Sequence, residues 1–150
     1  MERYMLSRNF KLDEFTRSDT ADELGDPNTP DEPHMRALHG LACGMEQVRR
    51  ILGDRAITIT SGYRNPVVNK AVGGVSNSAH ALGYAADFSV KGMEPVDVAR
   101  ALEASPLAFD QLIYEASRRI NHISFDPRMR REVKTQKGGA GTAVVWGIVD

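Results

Sequence analysis

His80, Asp87 and His122 are the residues of this chain best placed to do chemistry. Asp87 lies inside "GYAADFSV" and His122 inside "INHISFD", segments that are otherwise mostly small, apolar or aromatic. A carboxylate in such company is costly to bury unless something pairs with it. His80 closes the polar stretch that precedes Asp87. Two histidines and one carboxylate form a common catalytic zinc set, with a fourth position left for water. Residues on neighbouring strands converge even when they are far apart in sequence. Plainer readings fit the same residues: histidines satisfied in a core, and Asp87 capping a turn or pairing with Arg64.

The elements that must position these side chains are legible in outline. "KLDEFTRS" holds a short helical turn, and the Asp-, Pro- and Asn-rich stretch after it reads as loop. Met35, Leu38, Leu41, Ala42, Met45, Val48 and Leu52 recur at helical spacing, which predicts a helix from about Pro33 to Leu52 ended by Gly53. "AITIT" (Ala56 to Thr60) and "GYAADFSV" read as strands. Between them runs a long polar loop with Pro66, Gly73 and Gly74, and long loops in compact domains are often functional. "EPVDVARALEAS" reads as a helix with Pro95 in its first turn. "FDQLIYEA" and "INHISFD" read as a hairpin. This order predicts an α+β domain: a small, mostly antiparallel sheet with helices packed on one side.

Composition sets the outer bounds. With 150 residues the chain is expected to be one domain, 1–150, with 135–150 a flexible tail. A formal net charge of -1 gives no whole-molecule bias toward nucleic acid. The single cysteine, Cys43, excludes a disulfide within the chain, and its apolar helical setting predicts a packed core thiol. The opening "MERYMLSRNF" lacks the apolar run of a signal peptide, and no stretch approaches a membrane span. These features predict a soluble monomer made in the cytoplasm without membrane insertion. His34 and His39 on the first long helix read as structural or surface residues, and "RMRREVK" as a solubilising cluster.

The motif "SAHALGYAADFSV" resembles the Ser-x-His-(six residues)-Asp signature of zinc D-Ala-D-Ala carboxypeptidases, relatives of lysostaphin-type peptidases and of the hedgehog fold. "ITSGYRNPVVNKAVGGVSNSAH" resembles the segment before that signature, and "INHISFDPRMRREV" the segment with the last zinc ligand. "LSRNFKLDEF" is similar to the start of the phage-endolysin branch. The resemblance covers roughly residues 6–135. It implies one zinc per chain, held by His80, Asp87 and His122, and a peptidase acting on bacterial peptidoglycan stem peptides after release through a separate holin-like protein. Arg64 would stabilise the oxyanion or anchor a substrate carboxylate, and Ser78 would bind substrate or orient His80. Relatives often place the proton-relaying glutamate three residues before the last histidine, where this chain has Arg119. Asn121 replaces a tryptophan common in relatives. Glu115, at the end of the paired strand, is the best replacement base, with Asp110 and Asp126 as rivals. D-Ala-D-Ala carboxypeptidase, L-Ala-D-Glu endopeptidase and cross-link endopeptidase activities fit the same site. Other readings are a non-catalytic hedgehog-like zinc domain that holds wall peptides and a dipeptidase acting on free D-Ala-D-Ala.

Overall fold

The computed structural model describes residues 4–139 and 141–150. Six strands form one sheet: β1 (Ile57–Ser61), β2 (Ala85–Val90), β3 (Gln111–Glu115), β4 (Ile120–Ser124), β5 (Glu132–Gln136) and β6 (Val144–Trp146). Their spatial order is β1-β2-β4-β3-β5-β6. The helices are α1 (Leu12–Thr16), α2 (Asp19–Leu24), α3 (Glu32–Ile51), α4 (Pro66–Ala71), α5 (Ala79–Leu82) and α6 (Pro95–Ala104).

Alternation along the strands divides the sheet into two unlike faces. Ala86, Ile123 and Leu112 stand opposite one another on β2, β4 and β3. They join Phe88, Leu38, Leu41, Met45, Val48, Val98 and Leu102 in one buried cluster. α3 and α6 therefore cover this face, and each fully buried Leu or Phe contributes about 1.5–3 kcal/mol relative to exposure. Asp87, His122 and Ile113 form the next row, so they share the opposite face. Asn121 points to the helix side, where its Nδ2 donates to the Pro95 carbonyl of α6 at 2.8 Å. The departure from tryptophan at this position thus serves the sheet–helix joint.

Several expectations need correction. The domain is α+β, but the sheet is mixed rather than mostly antiparallel, because β5 runs parallel to β3. The polar stretch between β1 and β2 is not structureless: α4 and α5 form within it, capped by Asn65 and Ser78. Residues 135–150 are not simply a tail, since β5 extends to Gln136 and β6 pairs antiparallel with it. Cys43 is exposed, not a core thiol. The opening polar stretch contains α2 and is anchored by buried Asn28, whose Nδ2 donates to the carbonyls of Thr16 and Tyr63.

Ion pairs hold the chain where it enters β5. Arg130 grips Asp110 through two hydrogen bonds of 2.9 Å, and Arg128 grips Asp126 in the same way at 3.1 and 2.9 Å. Arg131 donates to the carbonyls of Leu107 and Ser105 and lies 4.8 Å over the Phe109 ring. The basic cluster read as solubilising therefore clips the chain so that β5 enters beside β3. Hydrogen bonding from Arg130 outweighs burial and holds the Asp110 carboxyl below the usual carboxylate range. Because the folded value lies below the unfolded one, this contribution is complete above about pH 4 and is lost as pH falls through the folded value. Arg130→Gln should lower stability at neutral pH and flatten the acid limb of the stability profile. Denaturant unfolding at stepped pH reads this, and superimposable profiles would show that the clip contributes nothing.

Candidate metal centre

His80 is presented by a helix of one turn. The Ser78 hydroxyl accepts from the Ala81 N–H at 3.1 Å, opening α5. Gly83 closes it in the left-handed region at φ +82, where a side chain would also crowd Ala37 and the His34 carbonyl. Ser78 Oγ donates to Asn69 Oδ1 at 3.3 Å, and Asn69 Nδ2 holds the Val75 carbonyl at 2.8 Å. These contacts tie the turn that carries His80 to α4.

The imidazole of His80 has its tautomer set by the backbone. Its Nδ1 lies 2.8 Å from the Gly62 carbonyl, which can only accept, so Nδ1 carries the proton. In neutral His80 the Nε2 lone pair then faces Asp87 Oδ1 at 3.2 Å. Asp87 and His122 are direct partners across β2 and β4, and His122 Nδ1 lies 2.9 Å from the same oxygen. One carboxylate oxygen thus confronts two ring nitrogens. Asp87 is 2% exposed and His80 6%. Two acceptors in a dry site repel unless a cation lies between them. Burial alone would push the Asp87 carboxyl up, but His80 and His122, with protons directed at it, hold it far below the usual range.

One donor atom from each of the three residues lies within 4.8 Å of the others. Two imidazole nitrogens and a carboxylate oxygen suit a single divalent metal with an open position, and a dication would convert the acceptor clash into attraction. The residues therefore fit the metal they were expected to hold.

Arg118 is a site residue that the sequence did not reveal. It lies in the turn 116–119 between β3 and β4. Its Nη1 is 2.9 Å from Glu115 Oε1 and 3.5 Å from Asp87 Oδ2. Burial would lower its pKa, but the neighbouring carboxylates of Asp87 and Glu115 raise it further, so the guanidinium stays charged. Arg119, the next residue, has φ +55 and turns away to pair with Glu94 at 2.7 Å. Two adjacent arginines look alike in sequence, and the turn alone selects which one faces the site.

Glu115 stands two positions from Ile113 on β3, so it shares the face of His122, and its side chain is 12% exposed. The rival carboxylates are committed elsewhere, Asp110 to Arg130 and Asp126 to Arg128. Arg64 does not pair with Asp87. Its Nε is buried without a partner, and it lines a groove of about 460 Å³ together with Arg118, Thr60 and Ser61. Burial lowers the Arg64 pKa, and the charge of Asp87 opposes this. His34 and His39 lie outside the cluster, where His34 packs against Tyr63 and His39 Nδ1 lies 3.3 Å from the Leu6 carbonyl.

Gly62 links the site to the core. A Cβ there would lie 2.5 Å from the Phe15 carbonyl oxygen and 2.8 Å from its Cα. Gly62→Ala should displace the carbonyl that orients His80, costing about 1–3 kcal/mol of stability and weakening metal binding. Denaturant unfolding and metal titration of the variant check both effects, and unchanged metal affinity would separate Gly62 from the site.

The sequence model of the family described as Peptidase M15 matches residues 8–124. A relative, the zinc D-Ala-D-Ala carboxypeptidase of Streptomyces albus G, is 44% identical over 44 residues, which is 29% of this chain. The match spans 17% of that relative's length. The family match takes in the strands that carry Asp87 and His122 and the short helix that carries His80. With most of its length matched, the chain belongs to the peptidase M15 family.

Proposed function

We propose that the protein is a zinc peptidase that hydrolyses peptide bonds in bacterial peptidoglycan stem peptides. The observation that carries this reading is the buried Asp87 oxygen facing His80 Nε2 and His122 Nδ1, with Glu115 and Arg118 beside it. Family membership and the zinc carboxypeptidase relative support it. His80, Asp87 and His122 would hold zinc, which would supply Lewis acidity toward a carbonyl oxygen and toward water.

The chain's own residues supply the rest. Glu115 takes the proton of the attacking water and passes it to the leaving amine. Arg118 holds that carboxylate at the edge of the groove. Arg64 donates to the developing oxyanion or to a substrate carboxylate, a task suited to its planar fork. Ser78 fixes α5 and thereby His80. The opening "LSRNFKLDEF" supports a setting in phage lysis, with the enzyme reaching the wall through a holin-like protein. A non-catalytic wall-peptide binder is the competing reading. Cleavage of purified peptidoglycan, with and without a chelator, separates the two, and muropeptide mass spectrometry identifies the bond.

The metal assignment predicts one zinc per chain by metal analysis. The His80→Ala, His122→Ala double variant should lose it, and retained full occupancy would rule out this ligand set. Glu115→Gln should keep fold and zinc but lose about 10²–10⁴-fold in turnover, the usual size of general acid–base assistance. Parental turnover in this variant, with zinc bound, would move the proton relay to another group.

A further inference from the structure

The groove that begins at the metal site carries more positive charge than the proposed reaction uses. Ser61 on its floor stands directly opposite Asp87 on the next strand, so the groove opens beside a metal ligand. Arg64 and Arg118 line this end, and Arg17 lines the groove with them from the end of α1. Asp19 is the acidic residue of the lining. Arg17 Nη2 makes one long contact, 3.4 Å to the Ile59 carbonyl. Among the described residues neither Arg17 nor Arg64 forms an ion pair. Charges of one sign converging in a concave site reinforce one another, and a bound dication would add to the field.

We infer that this groove is a subsite for a second carboxylate of an acidic peptide, with Arg17 as the specificity-determining residue. The inference rests on the peptidase reading above and deepens it by naming the substrate class. Arg17 reaches the Ile59 carbonyl on β1, the strand that pairs with the Asp87-bearing β2. The recognised carboxylate therefore lies on the β1 side of the bond presented to His80, Asp87 and His122. A guanidinium grips a carboxylate by two parallel hydrogen bonds, which a carboxamide cannot match in charge.

The test uses the zinc-loaded protein and two probes: a stem peptide whose glutamyl residue keeps a free α-carboxyl, and the same peptide with that carboxyl amidated. Cleavage is measured as kcat/KM and binding by calorimetry. The parent should favour the free carboxyl by about tenfold, the size of one charge-assisted hydrogen bond. Arg17→Gln should bring the ratio close to one, Arg17→Lys should fall between, and added salt should shrink the parent's preference. Zinc content and melting temperature of the Arg17 variants report on the site and the fold. Equal binding of the two peptides by the parent, no binding of either, or an undiminished preference in Arg17→Gln would overturn the inference. Cleavage of both peptides at equal rates would overturn it while leaving the peptidase reading intact. Selective binding without cleavage of either peptide or of peptidoglycan would do the reverse.

Discussion

The structure is organised around one electrostatic conflict: a buried Asp87 oxygen that faces two imidazole nitrogens. The proton on His80 Nδ1 is committed to the Gly62 carbonyl, so the ring cannot relieve the conflict by switching tautomer without losing that bond. The His80–Asp87 contact is attractive only with a second proton or a metal in it. A proton supplies one positive charge, whereas a divalent metal satisfies all three ligands at once and leaves a position free. The fold must hold Asp87 and His80 together despite this conflict.

The restraints come from three directions. β2 and β4 are adjacent, which sets Asp87 directly against His122. The capped single turn of α5 brings His80 in from outside the sheet, and the Ser78–Asn69 contact ties that turn to α4. Gly62 packs against the backbone of α1 at Phe15, so the carbonyl that sets the His80 tautomer is fixed by the core. Each of these restraints controls where a ligand atom lies. Second-layer partners of metal ligands usually govern affinity in this manner.

Electrostatics beyond the ligands separates into two sets of arginines. Arg128, Arg130 and Arg131 are bound into the fold by carboxylates and carbonyls just before β5. Arg17, Arg64 and Arg118 line the groove on the open face. Arg118 belongs partly to both sets, since it bridges Glu115 and the outer oxygen of Asp87. The near-neutral net charge of the chain conceals this division, because charge balance says nothing about which cations have partners.

Much of the architecture could be read from local pattern. Helical spacing marked α3, a segment with Pro95 in its first turn marked α6, β1 and β2 read as strands, and the run of β3 and β4 marked a hairpin. Asp87 and His122 were conspicuous because polar groups stood in apolar strands, and the motif around His80 linked them. Chain order alone could not decide pairing. β5 lies parallel to β3 where Arg130 meets Asp110, a contact between residues twenty apart. The choice of Arg118 over Arg119 depends on one residue of the β3–β4 turn adopting positive φ. The exposure of Cys43 follows from which stripe of α3 meets the sheet, and an apolar pattern bounds that stripe only coarsely. Residue types and spacing determined which groups could bind a metal, because that chemistry is local to the side chain. The tertiary structure alone decided which arginine joins them, since that depends on long-range register and on a single backbone turn.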